Sequence, residues 1–104
     1  MQKVTSPAEL DPALKGKKAV VLFHSTWCPF CRTFKPSFDA VVKDQRAWEP
    51  TEVLLEEDDD PLWDRFGIQA VPTVLFFDDG KVVGRLDAEL GVGLRESDLR
   101  RAVT

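Results

Sequence analysis

The sequence predicts an α/β fold: a mixed central β-sheet flanked by helices, ordered β-α-β-α-β-β-α after a short N-terminal helix. Three observations predict it. Ala19-Val20-Val21-Leu22-Phe23 is a continuous apolar run, as expected of a strand buried on both faces. Phe30, Phe34, Phe38, Val41 and Val42 follow at helical spacing and form one apolar stripe. Val71-Pro72-Thr73-Val74-Leu75-Phe76-Phe77 and Lys81-Val82-Val83-Gly84-Arg85-Leu86 flank Asp78-Asp79-Gly80, the pattern of a strand, a turn and a returning strand.

Each element has a local cause. In Ser6-Pro7-Ala8-Glu9, Ser6 can cap a helix, Pro7 suits its first position, and Glu9 completes a capping box. That helix stops near Gly16. The helix carrying the phenylalanine stripe begins at the two cysteines, and Pro36 inside it removes a backbone hydrogen bond and predicts a kink. Glu52-Val53-Leu54-Leu55-Glu56 reads as the second strand. After the acidic turn Glu57-Asp58-Asp59-Asp60, Asp60 can cap a short helix with Pro61 at its first position and Leu62, Trp63 and Phe66 inward. Trp48 and Trp63 read as core or flanking residues. A loop containing Gly91 and Gly93 leads to a last helix from about Leu94 to Val103, in which Glu96 and Arg100 are spaced to pair.

A chain of 104 residues suits one domain, expected to span residues 1–104. An apolar fraction of 43% argues against disorder, and a net charge of -4 argues against a broad nucleic-acid-binding face. No apolar run approaches membrane-spanning length, so no membrane partner is expected. The first residues show no apolar signal-peptide core. Two thiols so close together staple almost nothing, which fits chemistry in a reducing cytoplasm better than a secreted scaffold.

The chemistry concentrates in Trp27-Cys28-Pro29-Phe30-Cys31. Cys28 falls where a buried strand turns into a helix, so its sulfur meets unpaired N–H groups and the positive end of the helix dipole. Both favour the thiolate, the form that attacks a disulfide. Cys31 lies one turn further in, facing the core. Cys28 then attacks and Cys31 resolves the mixed disulfide. Two other readings remain open: an inert buried pair, and half of a zinc site. Zinc takes about four ligands, whereas the rest of the chain offers one histidine and no further cysteine.

His24, the sole histidine, precedes Cys28 by four residues. It can stabilise the thiolate or accept a proton near neutral pH, or simply pack as a hydrogen-bonded side chain. Trp27 reads as a shield for Cys28 and part of a docking surface, or as a packing residue. The acidic run lacks the spacing and glycine of a calcium loop and reads as a solvated turn. Arg95, Arg100 and Arg101 likewise read as a solvated face of the last helix.

Val20 to Cys31, Pro36 five residues after the second cysteine, Phe66-Gly67-Ile68-Gln69-Ala70-Val71-Pro72-Thr73, and Phe76 to Lys81 together resemble the thioredoxin family over nearly the whole chain. The resemblance implies a thioredoxin-like fold. It also implies Cys28 as nucleophile, Cys31 as resolving thiol, and a cis Val71–Pro72 bond beside them, where a bound peptide pairs with Val71 as an added strand.

Four departures stand out. Pro29-Phe30 separates the cysteines, closer to the Pro-Tyr of glutaredoxins than to the family's Gly-Pro. Leu22 occupies the place of the family's buried Asp. The lysine approaching that Asp becomes Leu54, or Val53 with a shift of one. The loop from Asp87 to Gly93 is longer, which leaves the match of Gly91 to the family's substrate-side glycine open. The function expected is oxidoreduction of protein disulfides through the Cys28–Cys31 couple, by a monomer without metal or other cofactor. Electrons would come from a separate reductase or from glutathione, since no nucleotide motif is present. The alternatives are a glutathione-linked, glutaredoxin-like enzyme, and a metal or iron–sulfur carrier or non-catalytic adaptor.

Overall fold

The computed structural model describes residues 2–89 and 91–103. In chain order the elements are β1 (Gln2–Val4), a 3-10 turn (Pro7–Glu9) running into α1 (Leu10–Leu14), β2 (Lys18–His24), α2 (Pro29–Lys43), β3 (Glu49–Leu54), α3 (Pro61–Arg65), β4 (Thr73–Asp78), β5 (Lys81–Leu86) and α4 (Glu96–Val103). The five strands form one mixed sheet in the order β1-β3-β2-β4-β5. β1, β3 and β2 run parallel, and β4 and β5 antiparallel to their neighbours.

Side chains alternate across a strand, so β2 feeds two cores at once. Ala19, Val21 and Phe23 join Leu10, Leu14, Leu62, Leu75 and Phe77 on the face covered by α1 and α3. Val20 and Leu22 join Phe34, Phe38, Val41, Val74 and Leu99 on the face covered by α2 and α4. The first turn of α2 places Cys28 and Cys31 in the first layer, while its later turns fill the second. The cysteines therefore sit where the two layers meet.

Several boundaries differ from the sequence reading. β1 was not read as a strand: only Val4 of its three residues is buried, and its structure comes from pairing Gln2–Val4 with Thr51–Val53. β3 starts at Glu49 instead of Glu52, because the parallel register carries Ala19 opposite Glu49 despite Pro50. The N-terminal helix opens as a 3-10 turn. Its Ser6 makes no side-chain cap bond to the backbone and bonds Glu9 Oε1 instead, at 2.9 Å. β4 starts at Thr73, and α4 at Glu96. The Asp60 cap forms as read, with Leu62 N–H donating to Oδ1 at 2.9 Å, and Glu96 pairs with Arg100 at 3.2 Å. Arg95 and Arg101 lie within ion-pair distance of Asp98, so the basic face of α4 is neutralised locally.

Candidate functional site

The site begins at the end of β2. Leu55 N–H donates to His24 O at 2.8 Å, continuing the β2–β3 pairing past the strand. Glu56 then takes up the next residue: its carboxylate accepts from Thr26 N–H at 2.7 Å and from the Thr26 hydroxyl. These bonds hold the Glu56 carboxyl below its ordinary value, the hydroxyl bond contributing most. Trp27 Nε1–H donates to Glu56 O at 3.2 Å, which pins the indole while leaving the residue 53% exposed. The acidic turn thus anchors the approach to the cysteines at Glu56 and caps α3 at Asp60.

Cys28 is the N-cap of α2, with extended backbone, and Pro29 takes the first helical position. Both cysteines are free thiols. The Cys28 sulfur makes no cap bond to the helix; its thiol donates to Val71 O at 3.4 Å. That corrects the expectation that the resting sulfur faces the first N–H groups. Exposure also separates the pair less than expected, at 5% for Cys28 and 2% for Cys31. Burial, and then the neighbouring Cys28, push the Cys31 thiol up to about 12, against an opposing influence from the Ser25 N–H and hydroxyl beside it.

Val71 and Pro72 lie beside the cysteines, and their peptide bond is cis. Thr73 Oγ1 donates to Ala70 O at 2.7 Å and closes the turn that delivers them. On the other side Phe30 is 43% exposed and rests on Gly93. A Cβ at Gly93 would come within 3.1 Å of the Phe30 ring, and φ there is +82°. Gly91 has no such neighbour. Glu89 and Gly93 bond each other, Gly93 N–H to Glu89 O at 2.8 Å and Glu89 N–H to Gly93 O at 3.0 Å. Of the two loop glycines, Gly93 is the one against the active-site motif. Trp27 and Phe30 flank Cys28 with exposed aromatic surface.

His24 faces the other core layer and a cluster the sequence reading missed. Its Nε2 is 3.8 Å from Glu52 Oε2, which also lies 3.1 Å from Lys35 Nζ. Lys35 in turn holds Asp39 at 2.7 Å. Leu22 is fully buried, and its cross-strand partner is Glu52. The neighbourhood of Leu22 therefore contains a carboxylate, although Leu54, on the same face of β3, is apolar. Val53 points into the opposite layer. Burial lowers the His24 pKa, more than Glu52 raises it. For Lys35 the balance is reversed: burial opposes its charge, but the bonds to Asp39 and Glu52 outweigh it. A period-2 reading of β3 combined with the helical spacing of Lys35 from Cys31 was the available signal for this cluster.

Ser25 was also missed. It is 1% exposed, and its N–H and hydroxyl both lie against the Cys31 sulfur.

Fold and site together define a small α/β protein with a Cys-x-x-Cys pair at a helix start, set against a cis X-Pro bond. A family model described as Thioredoxin matches residues 2–102. A thioredoxin of Mycoplasmoides gallisepticum is 35% identical over 86 residues, covering 82% of this chain and 85% of its own. The X-ray structure of Fasciola hepatica thioredoxin superposes with a TM-score of 0.79 at 29% identity, covering 99% of this chain and 96% of that one. A chain from the ferredoxin:thioredoxin reductase and thioredoxin f2 complex shares the fold, with a TM-score of 0.80 at 22% identity, covering 98% of this chain and 92% of that one. This chain belongs to the thioredoxin family, the thiol–disulfide oxidoreductases. Among the described residues no helix is long and apolar enough to cross a membrane.

Proposed function

We propose that the chain reduces or forms protein disulfides by a dithiol mechanism at Cys28 and Cys31. The observation that carries this reading is the asymmetry of the pair. Both thiols are buried, but burial raises the Cys31 pKa on the core side, and Cys28 lies at the helix start with Val71 O beside it and exposed Trp27 and Phe30 around it. In the reducing direction the Cys28 thiolate attacks a substrate disulfide and releases one substrate thiolate. Cys31 then loses its proton and attacks Cys28 Sγ. The Cys28–Cys31 bond forms, the bond from Cys28 to substrate breaks, and the second substrate thiolate leaves. Two electrons pass from protein to substrate. Trp27 and Phe30 supply a docking rim, and the Val71 backbone pairs with an extended substrate segment. A separate reductase returns the electrons, as the complex of thioredoxin f2 with ferredoxin:thioredoxin reductase suggests by analogy. A reducing cytoplasm is the proposed setting, because two cysteines this close in sequence staple almost nothing and suit redox chemistry better than a secreted scaffold.

Pro29-Phe30 between the cysteines favours a second reading, a glutathione-linked route through Cys28 alone. The Cys31→Ser variant separates the two. Without the resolving thiol, dithiol chemistry stops at the mixed disulfide. The expected result is reductant-sensitive complexes between Cys31→Ser and protein substrates in a lysate, absent from Cys28→Ser. Full turnover with glutathione by Cys31→Ser, and no trapped protein, would contradict the dithiol mechanism.

A further inference from the structure

We propose that the Ser25 hydroxyl is the hydrogen-bond donor that receives the Cys31 thiolate as it forms, and so sets the rate at which the mixed disulfide is resolved. The proposal rests on the dithiol reading above and adds a residue to it.

Ser25 is buried, and its Oγ has no hydrogen-bond partner in the resting dithiol state. A buried hydroxyl without a partner is costly. A serine that only packed here would be better replaced by alanine. What the hydroxyl lies against is the Cys31 sulfur, as does the Ser25 backbone N–H. A thiol accepts hydrogen bonds weakly. A thiolate accepts them strongly, because the acceptor is then charged. The interaction is therefore weak in the ground state and strong when charge develops, which is the requirement for accelerating a step.

The backbone around Ser25 is fixed in advance. His24 O accepts from Leu55 N–H, and both the N–H and the hydroxyl of Thr26 bind Glu56. With both neighbours held, a small adjustment of the Ser25 side chain, without backbone movement, is what brings its hydroxyl to the sulfur as charge develops there. No carboxylate is available from Leu22, which is fully buried beneath the same stretch of β2. Ionisable groups on the neighbouring elements include Cys28 at the N-cap of α2, Arg32 and Lys35 on α2, His24 on β2 and Glu52 on β3; a change at Ser25 replaces none of them.

The step is the one already written. Cys31 gives its proton to water, the resulting thiolate accepts from Ser25 Oγ–H and N–H, and it then attacks Cys28 Sγ. The disulfide Cys28–Cys31 forms and the thiolate on the other side of the mixed disulfide departs with the electron pair.

Stopped-flow mixing of the reduced protein with dithiobis(nitrobenzoate) reads the two cysteines separately. Cys28 attack releases one thionitrobenzoate at a rate proportional to reagent. Resolution by Cys31 releases the second at a rate independent of reagent. Each unit by which the Cys31 pKa rises lowers the thiolate fraction tenfold and raises its nucleophilicity about threefold, so resolution slows roughly threefold. Ser25→Ala is expected to slow the second phase by at least that factor at neutral pH, leave the first unchanged, and unfold at an equal or higher urea concentration. Ser25→Thr, which keeps the hydroxyl, is expected to keep the second phase. An unchanged second phase in Ser25→Ala, an equal slowing of both phases, or a loss in Ser25→Thr as large as in Ser25→Ala would overturn the proposal. Failure of the dithiol reading would look different. The wild-type protein would then release one thionitrobenzoate, or release the second in proportion to reagent.

Discussion

His24 and Glu52 place an imidazole 3.8 Å from a carboxylate, yet the imidazole is not the charged partner of an ion pair. Burial disfavours its cation more than Glu52 favours it, and Lys35 and Lys3 add repulsion. The folded pKa is therefore below the unfolded value of about 6.5. The unfolded chain binds a proton that the native chain refuses. Stability from this residue is present above about pH 6.5 and is lost as pH falls toward the folded pKa, at no more than about 1.4 kcal/mol per pH unit. His24→Gln removes this titration. Urea melts of both proteins from pH 7.5 to 5 are expected to show the wild type losing ground to the variant; a constant difference would contradict the neutral, half-buried imidazole. At this scale the two cysteines were legible because their chemistry is written in adjacent residues. Ser25, Glu52 and Lys35 were not, since they acquire meaning only when β2, β3 and α2 come together.

Among the elements, β2 carries the most information. Its apolar run predicted a strand buried on both faces, and the structure divides that run between two cores. Leu22 faces α2 and lies opposite Glu52 in register. An acid at this position meets burial and a second carboxylate, and both raise its pKa above the unfolded value of about 3.9. The native state of Leu22→Asp then holds its proton longer than the unfolded state. Its stability must fall as pH rises from about 4 toward the folded pKa. Leu22→Asn carries the packing and polarity loss without the titration. The Asp variant is expected to match Asn in acid and to fall increasingly below it toward neutral pH, in urea melts at each pH. Equal stabilities throughout would show that position 22 is not desolvated. Element boundaries were less legible than element identities. β1 is a strand because β3 is beside it, and β3 begins early because β2 extends that far; neither fact is local. The Asp60 cap, a local device, was read correctly.

In the whole molecule, the two core layers meet at the start of α2, and that junction is where the cysteines lie. Helix and strand order fixed the class of fold, since a buried strand followed by a helix and a later hairpin leaves few ways to build one mixed sheet. What the order could not convey is the surface around the site: exposed Trp27 and Phe30, Gly93 beneath Phe30, and Val71 O beside Cys28. These come from three separate segments. They make one patch in which a substrate disulfide can approach Cys28 while Cys31 waits beneath.

Under the proposed dithiol mechanism, Cys28 and Cys31 act as one two-electron couple. Equilibration of the purified protein across glutathione buffers of graded potential, with alkylation and mass analysis of the free thiols, tests it most directly. Both thiols are expected to disappear together, with a tenfold change in ratio for about 30 mV, and Cys31→Ser is expected to abolish this transition. Thiols that stay free across the range, or a stable glutathione adduct on Cys28 in place of the internal disulfide, would contradict it.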